Sequence, residues 1–207
     1  MRTECSFDSL TETLRFAASA LRDAEVPFVL GGSLAVWARG GPTPQNDLDL
    51  MLAPGDAERA LAVLGDAGLR PERPPEEWLL KVWHGPVMID LILRPAGLEI
   101  TREFIDRADL ISVAAVAMPV MSIEDVLATK LTALTEHTLD YGPLLAMARA
   151  VREQIDWPRL QGLTAACPLA KPFFTLVEEL GIAPATTRSP VAAQNAATGA
   201  KGIRVVN

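Results

Sequence analysis

An α/β (α+β) fold, with a mixed sheet and flanking helices followed by a C-terminal helical unit, is what the sequence predicts. Three observations carry that expectation. Short apolar runs alternate with segments of helical period up to about residue 121. From Ser122 onward the period is almost wholly helical. Hydrophobic residues make up 49% of the 207 and charged residues 22%, enough to build a real core and too much to leave a disordered or collagen-like chain. The length allows one domain or two small ones. The expected division is a core over 1–121, a helical domain over 122–183 and a flexible tail over 184–207.

Each element has its own signal. Leu10, Leu14, Phe16, Ala17 and Leu21 lie near helical spacing, so Ser9 to Ala24 reads as an amphipathic helix. Val26 to Leu30 is a short apolar strand that stops at Gly31-Gly32. Ser33 to Arg39 is a brief helix, and Gly40-Gly41-Pro42-Thr43-Pro44 is a loop by composition. Asp47 to Leu52 alternates acid and apolar, as a strand with one wet face does. Gly55-Asp56 opens a helix that runs to about Ala67, with Gly68 as its stop. Trp78–Trp83 and Val87–Leu93 flank His84-Gly85-Pro86 as a hairpin. Ile111 to Met118 reads as one further strand.

Ser122-Ile123-Glu124-Asp125 is a capping-box-like helix start, with Asp where Glu or Gln is commoner. The helical pattern then continues to about Ala166, broken near Tyr141-Gly142-Pro143 and at Asp156-Trp157-Pro158. A last helix covers about Pro172 to Leu180, ended by Gly181. The segment beyond holds Arg188, Lys201 and Arg204 and no acid. Two readings of it stand, a flexible tail and an RNA-touching arm.

Composition also bounds compartment and partners. Cys5 and Cys167 are too few for a disulfide framework or a CxxC metal site, which points to a reducing cytoplasm. The start of the chain has no basic-then-apolar signal layout, and no apolar run approaches the ~20 residues of a spanning helix, so no membrane partner is expected. The net charge is −7. A chain this acidic binds nucleic acid only through a local basic face, for which Arg39, Lys81, Arg94, Arg102 and Arg107 are the candidates.

Three features of the first half carry chemistry. Gly31-Gly32-Ser33 lies between a strand and a helix, where bare α-carbons let backbone approach an anion and N–H groups favour phosphate. Ser33 adds a hydroxyl donor. Asp47 and Asp49 share one face of their strand, because side chains at i and i+2 point the same way. Two carboxylates held side by side call for a cation, and Mg²⁺ suits oxygen ligands and triphosphates. Asp90 interrupts the apolar run Val87-Met88-Ile89-Asp90-Leu91-Ile92-Leu93 and is costly there without a partner. If its strand neighbours that of Asp47 and Asp49, it is the third carboxylate of a two-metal site and a proton acceptor for an attacking hydroxyl. Taken singly, each feature also has an ordinary reading: a turn, a solvated pair, a capping or ion-paired acid.

Together the residues G-G-S-x13-D-L-D-L with a later h-h-D-h-h resemble the minimal nucleotidyltransferase fold of the DNA polymerase β superfamily, over roughly Val26 to Leu93. The second half, Ser122-Ile123-Glu124-Asp125-Val126-Leu127-Ala128-Thr129-Lys130-Leu131-Thr132-Ala133-Leu134 with His137 and Leu139-Asp140-Tyr141, is similar to the helix pair of AbiEii/AbiGii-type nucleotidyltransferase toxins, MenT-like proteins included. His137 and Leu139 stand where that family commonly carries Arg and Lys. Lys130 and Asp140 read without the resemblance as a snorkelling surface lysine and a helix cap.

The resemblance implies a Mg²⁺-dependent enzyme moving NMP from an NTP to an acceptor hydroxyl. Asp47, Asp49 and Asp90 would hold the metal ions. Gly31, Gly32, Ser33 and Lys130 would bind the nucleotide phosphates, and Asp140 would position Lys130 or the base. It further implies the 3′ end of tRNA as acceptor and a cognate antitoxin, in a type IV-like toxin–antitoxin system that blocks translation. Two alternatives remain: a small-molecule, aminoglycoside-like acceptor, and a non-catalytic nucleotide-binding scaffold of the same fold.

Overall fold

The computed structural model describes residues 6–44 and 48–184. Helix α1 (Phe7–Asp23) starts from a reciprocal box in which Ser6 and Ser9 each accept the other's backbone N–H, at 3.1 and 3.0 Å. Its apolar stripe, Leu10, Leu14, Ala17 and Leu21, is fully buried. Strand β1 (Val29–Leu30) leads through Gly31 into α2 (Gly32–Trp37), and β2 (Leu48–Met51) follows. A 3₁₀ turn at Pro54–Asp56 feeds α3 (Ala57–Asp66), which ends before Gly68 at φ +100°. Then come β3 (Arg70–Glu72), β4 (Leu79–His84), β5 (Val87–Ile92), α4 (Arg102–Asp106) and the hairpin of β6 (Asp109–Val113) and β7 (Val116–Val120). Four α-helices follow among the described residues: α5 (Ile123–Thr132), α6 (Gly142–Ala150), α7 (Trp157–Leu163) and α8 (Ala170–Glu179).

The described strands form one sheet in the order β3-β4-β5-β2-β1-β7-β6. The pairs β1–β7 and β2–β5 are parallel, and the rest are antiparallel. This is the mixed sheet with flanking helices that the sequence predicts. Helices α1 and α3 pack on each other and on the sheet. Leu48, Leu50, Ile89 and Leu91 form a buried face, while Asp49, Asp90 and Lys81 at the intervening positions are only half-buried. Leu127, Leu131, Leu160 and Phe173 of the helical unit join the same apolar cluster as the sheet. No described helix is long and apolar enough to cross a membrane.

Glu124 and Asp125 are buried in the first turn of α5, and their charges are met from three sides. Arg107 reaches Asp125 at 2.9 Å, and Arg159 reaches Asp125 at 3.4 Å and Glu124 at 3.7 Å. Asp156 donates its N–H to Glu124 at 2.8 Å, and the Ser122 hydroxyl donates to Asp125 at 2.9 Å. Buried carboxylates require such pairing. The cluster ties α5 and α7 to the segment before β6, and Ser122 accepts the Asp125 N–H as the expected N-cap.

Several expected elements are corrected. The strand over Val26–Leu30 narrows to Val29–Leu30, whereas β3 and α4 carry no strong periodic signal and were not expected. Gly142-Pro143 and Trp157-Pro158 begin α6 and α7 rather than interrupt a helix, because proline is tolerated in a first turn. The single strand over Ile111–Met118 is a hairpin, turned by Ala114 and Ala115 at φ +47° and +67°. Two successive positive φ values make a type I′ turn, usually announced by Asn-Gly. Alanine gives no such announcement.

Replacing Ala114-Ala115 by Asn-Gly is therefore expected to stabilise the fold, by about 1–2 kcal/mol, since both residues now sit in the left-handed region. Urea unfolding of the double variant beside the parent chain measures it. An unchanged midpoint would show that the alanines bear no strain.

Candidate active site

The site is assembled by one turn and three strands. Gly31 donates its N–H to the Asp49 carbonyl at 2.9 Å, which fixes the end of β1 against β2. Gly32 follows at φ +57°. A Cβ on Gly32 would stand 1.7 Å from Asp49 Oδ2, and one on Gly31 would stand 2.4 Å from the Met51 methyl. Both glycines are therefore required by space, and Gly32 by conformation as well. The Gly31 amide is spent on the sheet, which leaves the amides after it as candidate phosphate donors.

Asp49 lies directly across from Asp90, and Asp90 directly across from Lys81. Side chains in register on adjacent strands share a face, with Cβ atoms about 5 Å apart. A row of cation, anion and anion thus crosses β4, β5 and β2. Lys81 Nζ donates to Asp90 Oδ1 at 2.6 Å, and the two side chains are 19% and 21% exposed. This answers how an acid is tolerated inside the apolar run of β5.

Asp47 lies outside the described residues. Among the described residues no cluster of three or more His, Cys, Asp or Glu side chains forms a metal site. Asp49 and Asp90 do supply two hard oxygen donors side by side at partial burial, which is the donor chemistry Mg²⁺ takes. Ser33 stands half-buried in the first turn of α2, and Lys130 half-buried in the last turn of α5, a helix packed against α2. Neither side chain makes a hydrogen bond or ion pair with another described residue. Asp140 is exposed, and its Oδ1 accepts the Gly142 N–H at 2.9 Å, an Asx turn that precedes α6, whose N-cap is Tyr141. Beside it, the Tyr141 hydroxyl donates to the Leu169 carbonyl at 2.6 Å, and burial raises its pKa above the usual phenol value. His137 and Leu139 are exposed on the same loop.

The basic residues considered for a nucleic-acid face each lie beside an acid. Arg39 pairs with Asp109 at 2.7 Å and donates to the Met121 carbonyl, and Arg107 pairs with Asp125. Arg102 pairs with Asp106, Arg94 approaches Glu99 at 4.0 Å, and Lys81 holds Asp90. The pairing of Lys81 is the feature that the sequence reading missed. Its signal was nonetheless present: with His84 and Val87 closing the hairpin, Lys81 and Asp90 each stand three residues outward and must face one another.

The turn, the paired carboxylates and the mixed sheet define the class, an α/β nucleotidyltransferase. The chain belongs to the family described as uncharacterised nucleotidyltransferase, whose model matches residues 10–178. No curated protein matches the chain in sequence. Among solved structures it is similar to the antibiotic-resistance factor ANT(2″)-Ia. The solution structure gives a TM-score of 0.60 at 15% identity, covering 85% of this chain and 98% of that one. The crystal structure with adenylyl-2″-tobramycin gives 0.58 at 15% identity, covering 80% and 99%. JHP933 from Helicobacter pylori gives 0.50 at 17% identity, covering 85% and 79%. At these identities the likeness is one of fold.

Gly32→Ala is expected to lower stability by about 1–3 kcal/mol, through the positive φ and the collision with Asp49. Gly55→Ala, with nothing near its α-carbon, should shift stability by no more than about 0.5 kcal/mol. Parallel urea titrations compare them. Equal midpoints would mean that the Gly32–Asp49 contact is not a constraint.

Proposed function

We propose that this nucleotidyltransferase moves NMP from an NTP to an acceptor hydroxyl at the row formed by Asp49 and Asp90. The observation that carries the reading is the placement of these two carboxylates abreast on neighbouring parallel strands, with Asp49 seated against Gly32. Asp47 and Asp49 would hold Mg²⁺, and Asp90 is the third carboxylate of the set. Mg²⁺, when bound, supplies charge neutralisation across the triphosphate. Ser33 and the amides that follow Gly31 donate to the phosphates, Lys130 adds positive charge, and Asp140 shapes the loop between α5 and α6. Asp90 takes the proton of the acceptor hydroxyl. The oxygen then bonds to the α-phosphorus in line, and diphosphate leaves with the electron pair of the broken bond.

The similarity to AbiEii/AbiGii-type toxins directs the acceptor reading to the 3′ end of tRNA, with a cognate antitoxin as partner. A second acceptor class is favoured by a specific observation: each of the five candidate basic residues already faces an acid. A small cationic acceptor suits an acidic cleft in a chain of net charge −7 better than a polyanion does. The fold neighbour crystallised with adenylyl-2″-tobramycin makes aminoglycosides the first small acceptors to try.

Purified chain, Mg²⁺ and each α-labelled NTP are incubated with total RNA in one series and with aminoglycosides in another. Label is expected in one acceptor class. It should be lost in Asp49→Ala and reduced about 10²–10⁴-fold in Asp90→Asn, the range of a general base. Label in tRNA-sized RNA selects the toxin reading, and label in the small molecule selects the other. No label in either series, together with no Mg²⁺-dependent NTP binding, would sink the enzymatic reading in favour of a scaffold.

A further inference from the structure

The pairing of Lys81 with Asp90 bears on how the metal ions are distributed, an inference that rests on the transfer site just proposed. Strand register puts Lys81 opposite Asp90, so its ammonium is a permanent neighbour of that carboxylate. Nζ donates to Oδ1 at 2.6 Å and lies 3.3 Å from Met88 Sδ, with both charged groups about four-fifths buried. An ion pair at that depth is screened far less than one on the surface. On its other flank Asp90 faces Asp49, a like charge. Asp90 therefore stands between a cation supplied by the fold and an acid.

A two-metal arrangement asks Asp90 to ligate a divalent ion. That ion would share a single carboxylate with a largely buried ammonium, against their mutual repulsion. We propose that Lys81 takes the place a second metal ion would hold on Asp90 and acts as the positioning residue of the proton acceptor. Lys81 fixes Oδ1 and keeps the carboxylate turned along the row. Oδ2 is left to receive the proton of the acceptor hydroxyl as its oxygen bonds to the α-phosphorus and diphosphate departs. Any dication is then left to the Asp49 side of the row, and the site works with one dication and one lysine.

The test counts bound Mn²⁺ per full-length chain by electron paramagnetic resonance, in the presence of an NTP analogue that cannot be cleaved between its α- and β-phosphorus atoms. The parent chain and Asp90→Asn should each bind a single tight Mn²⁺. Lys81→Arg should match them. Lys81→Met should gain a second, doubling the count, because Asp90 then lacks its built-in cation. Thermal melts verify folding, and Asp90→Asn carries the test if Lys81→Met does not fold. Two Mn²⁺ in the parent with one lost in Asp90→Asn would overturn the proposal, as would a folded Lys81→Met that gains none. Failure of the underlying site reads differently: nucleotide-dependent Mn²⁺ binding would be absent, or indifferent to Asp49→Ala, and both proposals would fall.

Discussion

The bare α-carbon of Gly32, pressed against the Asp49 carboxylate, is the contact on which the site depends. It fixes the separation between the start of α2 and the face of β2. The Gly31 amide holds the same junction from the backbone side by donating to the Asp49 carbonyl. One residue is thereby gripped by its main chain and its side chain at once. Strand register extends that placement to Asp90 on β5 and to Lys81 on β4. A side chain at position 32 would not merely crowd the turn. It would move the acid to which the rest of the row is referred.

Electrostatics divides the molecule into two clusters with different tasks. Around α5, Glu124 and Asp125 are nearly inaccessible and meet Arg107, Arg159, Ser122 and the Asp156 amide. Each carboxylate oxygen there meets a structural partner, so the cluster ties α5 and α7 to the segment before β6. The Asp49–Asp90–Lys81 row is only partly buried and holds two carboxylates beside one ammonium. Its two carboxylates offer hard oxygen donors at partial burial, the chemistry a divalent cation takes. That difference, and not the number of charges, separates a bolt from a site.

The sequence disclosed as much as its local signals encode. Gly31-Gly32-Ser33, the acid–apolar alternation ending at Leu52 and the intrusion of Asp90 into an apolar run were all legible, because each breaks or fulfils a period that a single strand or turn imposes. The mixed sheet, α3 and the β4–β5 hairpin were legible for the same reason. Four features were hidden. The Ala114-Ala115 turn lacks the residues that usually announce positive φ. β3 and α4 are too short to show a period. The Lys81–Asp90 pair needed register to be counted outward from Gly85, and a lysine alone looks like any surface cation. Of the site residues, Asp140 is not the N-cap its simpler reading expected but forms an Asx turn one residue earlier, with Tyr141 as the N-cap of α6.

The same bookkeeping of charge bears on where a triphosphate can be gripped. A polyanion is held by cations that are not already neutralised, and five of the basic residues that looked available in the sequence are each committed to an acid. Arg39 is the clearest instance, 12% exposed and bound to Asp109 and two carbonyls around the end of β7. Lys130 differs. It sits in the last turn of α5, makes no ion pair with a described residue, and belongs to the helix that packs on α2, the element carrying Gly32 and Ser33. An acidic chain can thus keep a phosphate grip without a basic surface, provided a cation near the glycine turn is left uncommitted while the others hold the fold. On the proposed reading, a chain of net charge −7 would grip phosphate through Lys130 and the backbone amides of the turn, on two helices that pack together.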